Sequence, residues 1–274
     1  MRRSLQQTAT ETLSYLEQGG FQTNHGDWVD FSEAQRAAVA GTFTLTPEAG
    51  AELLNTSGTG GSSPSVMVTR ERTQEAARRL VEDELWRDLV ALNFASARSP
   101  GGGFMRGARA QEEDLARCSG LYPCLLSQPN YYEGNRVQRS LIYRDHLIYS
   151  PQVPWFRGND DALLDRYFSA SIITAPAPNA GEVLRRDPSA GPCVEAALHH
   201  RAGLILALAR AQKHRSLLLG AWGCGVFKND PTRVAESFKI WLTSNTFAGD
   251  FDRVCFAIFD RGGEILNAFR AEFS

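Results

Sequence analysis

The chain has 274 residues, 43% hydrophobic and 22% charged, which suits one soluble globular domain with a sizeable core or two small ones. With 29 Lys and Arg against 31 Asp and Glu the formal net charge is -2, which excludes the basic excess of a protein that grips duplex nucleic acid electrostatically. Any polyanionic ligand must be held locally.

Leu5, Ala9, Leu13 and Leu16 recur at helical spacing before Gly19-Gly20, which predicts an N-terminal helix with a glycine stop. A strand is expected over Thr42 to Thr46, and residues 55–64, rich in Gly, Ser and Thr, read as a loop before a short strand at Ser65 to Thr69. From Thr73 to Arg87 the residues Ala76, Ala77, Leu80, Val81 and Leu85 share one helical face, and Asp88 to Ala95 then reads as an almost continuous apolar strand. Strand, helix and buried strand in succession indicate a parallel α/β sheet. Leu141 to Ser150 and Ala170 to Ala175 supply further strands. The alternation then returns with a helix near Val194 to Ala211, a strand at Ser216 to Leu219, a helix near Pro231 to Leu242 and a strand at Val254 to Phe259. No linker divides the chain, so one α/β domain with a helical, loop-rich N-terminal extension is expected.

Ligands of such sheets bind beyond the carboxyl ends of the strands, and two glycine-rich segments fall there. The first, Gly101-Gly102-Gly103, follows the strand ending near Ala95 and leads into Gln111-Glu112-Glu113. The second, Gly220 to Phe227, leaves the Ser216 to Leu219 strand and enters a helix with Asp230 as cap and Pro231 at its first position. Such loops can aim N–H groups and a helix dipole at a diphosphate, although glycine-rich turns after strands are as often only tight turns. Neither is a Walker loop or a dinucleotide fingerprint. Three consecutive glycines suit close approach to a phosphate or a crowded ribose. Two adjacent glutamates suit acid/base work at a glycosidic carbon.

The string Leu92-Asn93-Phe94-Ala95-Ser96-Ala97-Arg98-Ser99-Pro100-Gly101-Gly102-Gly103-Phe104, followed by Gly107-Ala108 and Gln111-Glu112-Glu113, closely resembles the microbial type of poly(ADP-ribose) glycohydrolase. There GGG, a spacer and QEE form the signature, and the spacer here is seven residues long. Leu115, Arg117, Ser119, Leu121-Tyr122 and Tyr131-Tyr132 also look like that family. The likeness is specific over about residues 65–135 and returns at Gly220 to Phe227.

The resemblance implies a macrodomain-like three-layer α/β/α sandwich over residues 65–274, with residues 1–64 as an extension packed on it in one structural unit. It implies hydrolysis of the ribose-ribose O-glycosidic bond of poly(ADP-ribose) without metal or cofactor, with trimming from chain ends if the extension covers the terminal ribose. Glu113 maps to the acid/base and Glu112 to a holder of ribose hydroxyls. The triplet would approach the ribose and diphosphate, Gly223, Cys224, Gly225 and Val226 would wrap the diphosphate from the other side, and Phe227 would pack against the terminal ribose.

The chemistry also stands on its own terms. Cleaving a ribosyl C1–O bond builds positive charge on the ring while the leaving oxygen needs a proton, and an ordinary glutamate is mostly ionised at neutral pH. Like-charge repulsion from Glu112 and a bound diphosphate favours the protonated form of Glu113, while the helix N-terminus opposes it. Glu112 as nucleophile stays open, ranked lower because adjacent side chains on a tight loop point apart.

Asn93 at a strand end suits a ribose hydrogen bond or a cap, Gln111 a substrate contact or a loop brace, and Thr73 an adenine contact or, preferably, an N-cap. Phe259 suits adenine stacking or core packing. Tyr131-Tyr132 suit the pocket wall or plain packing, and Arg185-Arg186 a solvated face.

Five scattered cysteines (Cys118, Cys124, Cys193, Cys224, Cys255) without a C-x-x-C pair suggest neither a disulfide framework nor a zinc site. No stretch approaches the roughly 20 apolar residues of a membrane span, and the start lacks an apolar signal region. A monomeric cytoplasmic protein is expected, with poly(ADP-ribose) or ADP-ribosylated proteins as partners and neither duplex nucleic acid nor membrane. A hydrolase of single ADP-ribose groups on proteins, or a non-catalytic ADP-ribose reader, would use much the same pocket; the paired glutamates argue against the reader.

Overall fold

The computed structural model describes residues 4–158 and 161–274. In chain order it contains α1 (Leu5–Gln18), β1 (Gly20–Gln22), β2 (Trp28–Asp30), α2 (Ser32–Ala40), β3 (Phe43–Leu45), α3 (Pro47–Leu54), β4 (Ser65–Thr69), α4 (Thr73–Arg78) and β5 (Leu89–Phe94). There follow α5 (Gln111–Cys118), α6 (Leu121–Leu126), α7 (Pro129–Val137), β6 (Leu147–Arg157), β7 (Leu163–Ala175), α8 (Ala180–Arg186), α9 (Gly191–Ala211), β8 (Ser216–Leu219), α10 (Pro231–Leu242), β9 (Arg253–Ala257) and α11 (Glu264–Glu272).

Seven strands form one sheet in the order β3-β6-β7-β5-β8-β9-β4. The five from β7 to β4 are mutually parallel, whereas β6 pairs antiparallel with β7 and with β3, so the sheet is mixed rather than parallel throughout. Side-chain alternation along the strands builds a core on each face. Val90, Leu92, Ile173, Leu217, Leu219, Val254 and Phe256 pack against α9, α10 and α11. Ala91, Ile148, Ile172, Leu218 and Cys255 face α4, α5, α6 and α7. This is the expected three-layer α/β/α sandwich. The middle of α9, Ala202 to Ala209, is buried all round, which explains its continuous apolar run.

Several boundaries follow local chemistry. Ser4 and Gln7 close a capping box on α1, and Gly19 in the left-handed conformation (φ 73°) ends it. Asp230 caps α10 with Pro231 at its first position. Elsewhere tertiary contacts override the pattern. The helix expected through Arg87 leaves regular α geometry after Arg78, passes through a π-turn at Arg79–Asp83 and leaves Leu85 exposed at φ 55°.

The strand expected from Leu141 begins only at Leu147, because the buried Arg201 guanidinium takes the carbonyls of Ile142 and Tyr143 that a ladder would need. Its side chain also bonds to Asp145. The last strand stops at Ala257, which leaves Phe259 outside the sheet.

Residues before Ser65 do more than cover the sheet, since β3 adds its edge strand with Phe43 opposite Tyr149 and Leu45 opposite Leu147. Helix α1 packs on α5 and on the 3-10 turn Phe104–Arg106, with Ala9, Leu13, Phe104, Ala116 and Tyr122 in one cluster. The Thr12 hydroxyl donates to Arg117 O at 2.9 Å, binding α1 to the helix that carries Glu112 and Glu113.

Candidate active site

The carboxyl ends of β4, β5, β8 and β9 open into a cavity of about 980 Å³. Its wall includes Thr73 after β4, Phe94 to Ser96 after β5, Gly102, Gly103 and Gln111 to Asp114, then Gly223, Gly225, Val226 and Phe227 after β8, and Phe259 after β9. The two glycine-rich loops and the paired glutamates therefore meet at one edge of the sheet.

Glu112 and Glu113 lie in the first turn of α5 and are nearly buried, at 3% and 9% exposure. One Glu112 oxygen accepts the Ser96 N–H at 2.7 Å and the other the Asn93 amide at 3.4 Å. Burial, reinforced by the adjacent Glu113 charge, pushes the Glu112 carboxyl up to about 8 against the pull of the Ser96 hydrogen bond. Glu113 Oε1 accepts the Gly103 N–H at 2.8 Å.

The glycine triplet is spent on these carboxylates and on its own turn. Gly102 N–H donates to Ser99 O at 3.0 Å, inside the turn. Gly101 and Gly102 are left-handed at φ 65° and 59°, and a Cβ on Gly102 would run into the Glu113 carboxylate. The expected presentation of free N–H groups to a phosphate is thus not what Gly102 and Gly103 do here.

On the second loop Gly223 is left-handed (φ 75°), and a Cβ there would strike Ala177 and Asn229. Gly225 has ordinary dihedrals and open space around it, so of the two glycines flanking Cys224 only Gly223 is confined. The Cys224 N–H, expected to face a ligand, donates to Ala221 O at 3.1 Å inside the turn, and burial pushes the thiol up to about 12. Buried Asn229 closes the loop, its amide donating to Gly223 O and Pro178 O. Phe227 lies 6.0 Å from Tyr143, ring to ring.

Among the remaining candidates, Asn93 is fully buried behind Glu112, donates to Thr174 Oγ1 at 3.2 Å and leaves its Oδ1 without a protein partner. Gln111 is a brace as well as a wall residue, accepting from Phe94 N and donating to Leu92 O and Thr73 Oγ1. Thr73 is not an N-cap: Arg72 holds that position, and the Thr73 hydroxyl faces Gln111. Phe259 is 53% exposed, with the Arg72 guanidinium 4.4 Å from its ring centre, so it is not a core residue. Tyr131 and Tyr132 are buried in the core rather than on the wall. Arg185 and Arg186 pair with Glu182 on the surface.

Sequence reasoning did not single out four arginines in the cavity wall: Arg72, Arg106, Arg109 and Arg261. The available signal was the position of Arg106 and Arg109 inside the seven-residue spacer. Among the described residues no group of three or more His, Cys, Asp or Glu side chains gathers as metal ligands, and no helix is long and apolar enough to cross a membrane.

With this geometry in view, the family described as microbial-type PARG, catalytic domain, matches residues 9–158. The chain belongs to that family. It is 42% identical to poly(ADP-ribose) glycohydrolase (PARG) from Thermomonospora curvata, covering 98% of this chain and 99% of that one, with a TM-score of 0.93. A structure of that enzyme bound to the inhibitor ADP-HPD matches at the same identity and coverage with a TM-score of 0.91. PARG from Deinococcus radiodurans in complex with ADP-ribose is 46% identical over 87% of this chain and 96% of that one, with a TM-score of 0.80. No curated protein sequence matches the chain.

Proposed function

We propose that this protein hydrolyses the ribose-ribose O-glycosidic bond of poly(ADP-ribose) and releases ADP-ribose from chain ends. Membership of the PARG family supports the activity. The observation that carries the mechanism is Glu113 at the cavity wall, fixed by the Gly103 N–H with Glu112 beside it.

In this reading Glu113 protonates the oxygen leaving C1 of the terminal ribose, and the bond breaks toward an oxocarbenium-like ring. The resulting Glu113 carboxylate then takes a proton from a water, whose oxygen attacks C1. One glutamate thus gives a proton to the leaving oxygen and regains one from the attacking water. The ligand's diphosphate, lying toward Gly223 to Phe227, offsets charge on the ring. Glu112 is suited to ribose hydroxyls rather than to attack, since its two oxygens are held by the Ser96 N–H and the Asn93 amide and are not free to reach C1. Phe227 packs against the terminal ribose and Phe259 offers a face to adenine. Residues 4–64 act as the extension that closes one end, with α1 on the turn after the triplet, which favours trimming from chain ends over internal cuts.

Incubation with poly(ADP-ribose) and, separately, with mono-ADP-ribosylated protein tests this proposal, with released ADP-ribose as the readout. Release from the polymer is expected. Release from the mono-modified protein alone would replace the proposal with a mono-ADP-ribosyl hydrolase, and binding without release would make the protein a reader.

A further inference from the structure

Three of the four wall arginines lack an acidic partner. Arg72 is engaged, its guanidinium 3.3 Å from Asp114 Oδ2 and packed on Phe259. Arg106, Arg109 and Arg261 are exposed and have no acidic partner among the described residues; Arg261 follows β9, whereas Arg106 and Arg109 sit between the glycine triplet and α5, next to Glu113. Unpaired cations at the mouth of a cavity, in a chain of net charge -2, concentrate attraction for an anion where the average field offers none.

The backbone that carries Arg106 and Arg109 is fixed. Arg106 N–H donates to Gly103 O at 2.9 Å, Ala108 N–H donates to the same carbonyl at 3.2 Å, and Gly107 turns at φ 73°. The fully buried Arg117 then holds Ala108 O at 2.9 Å, and Phe104 anchors the turn in the cluster with α1. The turn that hangs from Gly103 is therefore a rigid platform, and Gly103 is also the residue whose N–H holds Glu113. The two guanidiniums consequently belong to the Glu113 side of the cavity.

A general acid must face the oxygen that leaves. On the proposed function, that oxygen belongs to the next ADP-ribose unit, which carries its own diphosphate. The cleaved unit fills the cavity, so the leaving unit emerges past Glu113 toward the platform. We infer that Arg106 and Arg109 form a second anion subsite that holds the diphosphate of the leaving unit and so selects polymer over single ADP-ribose groups. This inference rests on the polymer reading above, but it makes a separate claim about which part of the substrate these side chains touch.

The test combines Arg106→Ala with Arg109→Ala. Activity on poly(ADP-ribose) is measured from low to moderate KCl, and ADP-ribose affinity by calorimetry. Expected are a drop in kcat/KM of about tenfold at low salt, carried by KM, and a salt dependence flatter by about 1.4 log-log units, since two phosphate contacts are lost. ADP-ribose affinity should stay within about twofold, and the double lysine variant should recover part of the loss.

The same pair of substitutions in a Glu113→Gln background reads affinity for intact polymer whether or not the wild type turns it over, and several-fold weaker binding is expected there. Unchanged polymer affinity and salt slope would overturn the subsite. So would an equal loss of ADP-ribose affinity, because the arginines would then serve the unit inside the cavity. A wild-type protein that leaves polymer intact defeats the proposed activity instead, and the background variant still decides the subsite.

Discussion

The Gly103 N–H reaches Glu113 Oε1 over 2.8 Å, so the glycine loop holds the carboxylate in place. Gly102 closes the turn on Ser99. The left-handed turn at Gly101 and Gly102, which favours glycine, brings the Gly103 N–H up to the Glu113 carboxylate at the cavity wall. On the proposed function, the diphosphate is left to the opposite loop and to side chains.

Glu113→Gln keeps an acceptor for the Gly103 N–H and nearly the same volume, but it cannot deliver and recover a proton. Turnover of poly(ADP-ribose) should fall by at least about a hundredfold, while calorimetric affinity for ADP-ribose stays within several-fold. Wild-type rates in this variant would end the assignment.

Glu112 links the site to stability. Its carboxyl sits at about 8 in the folded protein against 4.5 for an ordinary glutamate, so the folded chain holds this proton more tightly than the unfolded one. Its contribution is therefore fully present below pH 4.5 and is lost as pH rises through about 8. Thermal melts of the wild type should decline between about pH 5 and pH 9 more steeply than those of Glu112→Gln, with a difference on the order of a few kcal/mol at the alkaline end. Parallel pH profiles in the two proteins would show that burial does not raise this group. Glu112→Gln should also slow hydrolysis and weaken substrate binding more than Glu113→Gln does.

What the sequence made legible is what is encoded locally. The ends of α1 and α10 are written in Ser4, Gly19, Asp230 and Pro231, and β4 and β8 coincide with short apolar runs between breakers. The glutamate pair at the cavity wall was readable because GGG and QEE are close in the chain. Distant partners were not readable. Arg201 strips the 142–143 carbonyls from a strand 58 or more residues away, and nothing near Tyr143 announces it. Burial of Tyr131 and Tyr132 depends on how α7 lies over the sheet, and the fate of the triplet's N–H groups depends on where α5 swings its first turn. Arg106 and Arg109 look like ordinary surface charges until the platform beneath them is seen.

The two glycines flanking Cys224 should separate binding from folding. Gly223→Val meets Ala177 and Asn229 at a left-handed backbone and should cost roughly 2 kcal/mol or more of stability as well as affinity. Gly225→Val meets nothing in the protein yet lies in the cavity wall, so its melting temperature should stay near wild type while ADP-ribose binding weakens by about tenfold or more. Full binding by Gly225→Val would move the ligand away from this loop.

Gly102→Ala tests the clamp most directly, because one methyl group acts on two features at once. At φ 59° any L side chain costs about 1 kcal/mol, and this Cβ would also press on the Glu113 carboxylate and lie 3.1 Å from Glu112 Oε2. The strain alone can be matched at Gly26, which is equally left-handed (φ 91°) with nothing near its Cβ, in the turn between β1 and β2. Both alanine variants should lose similar stability in urea melts. Only Gly102→Ala should lose kcat, by tenfold or more, since the methyl displaces Glu113 from the Gly103 N–H and takes the acid off the line to the leaving oxygen. Equal activity in the two variants would show that the triplet shapes the turn without aiming the carboxylate.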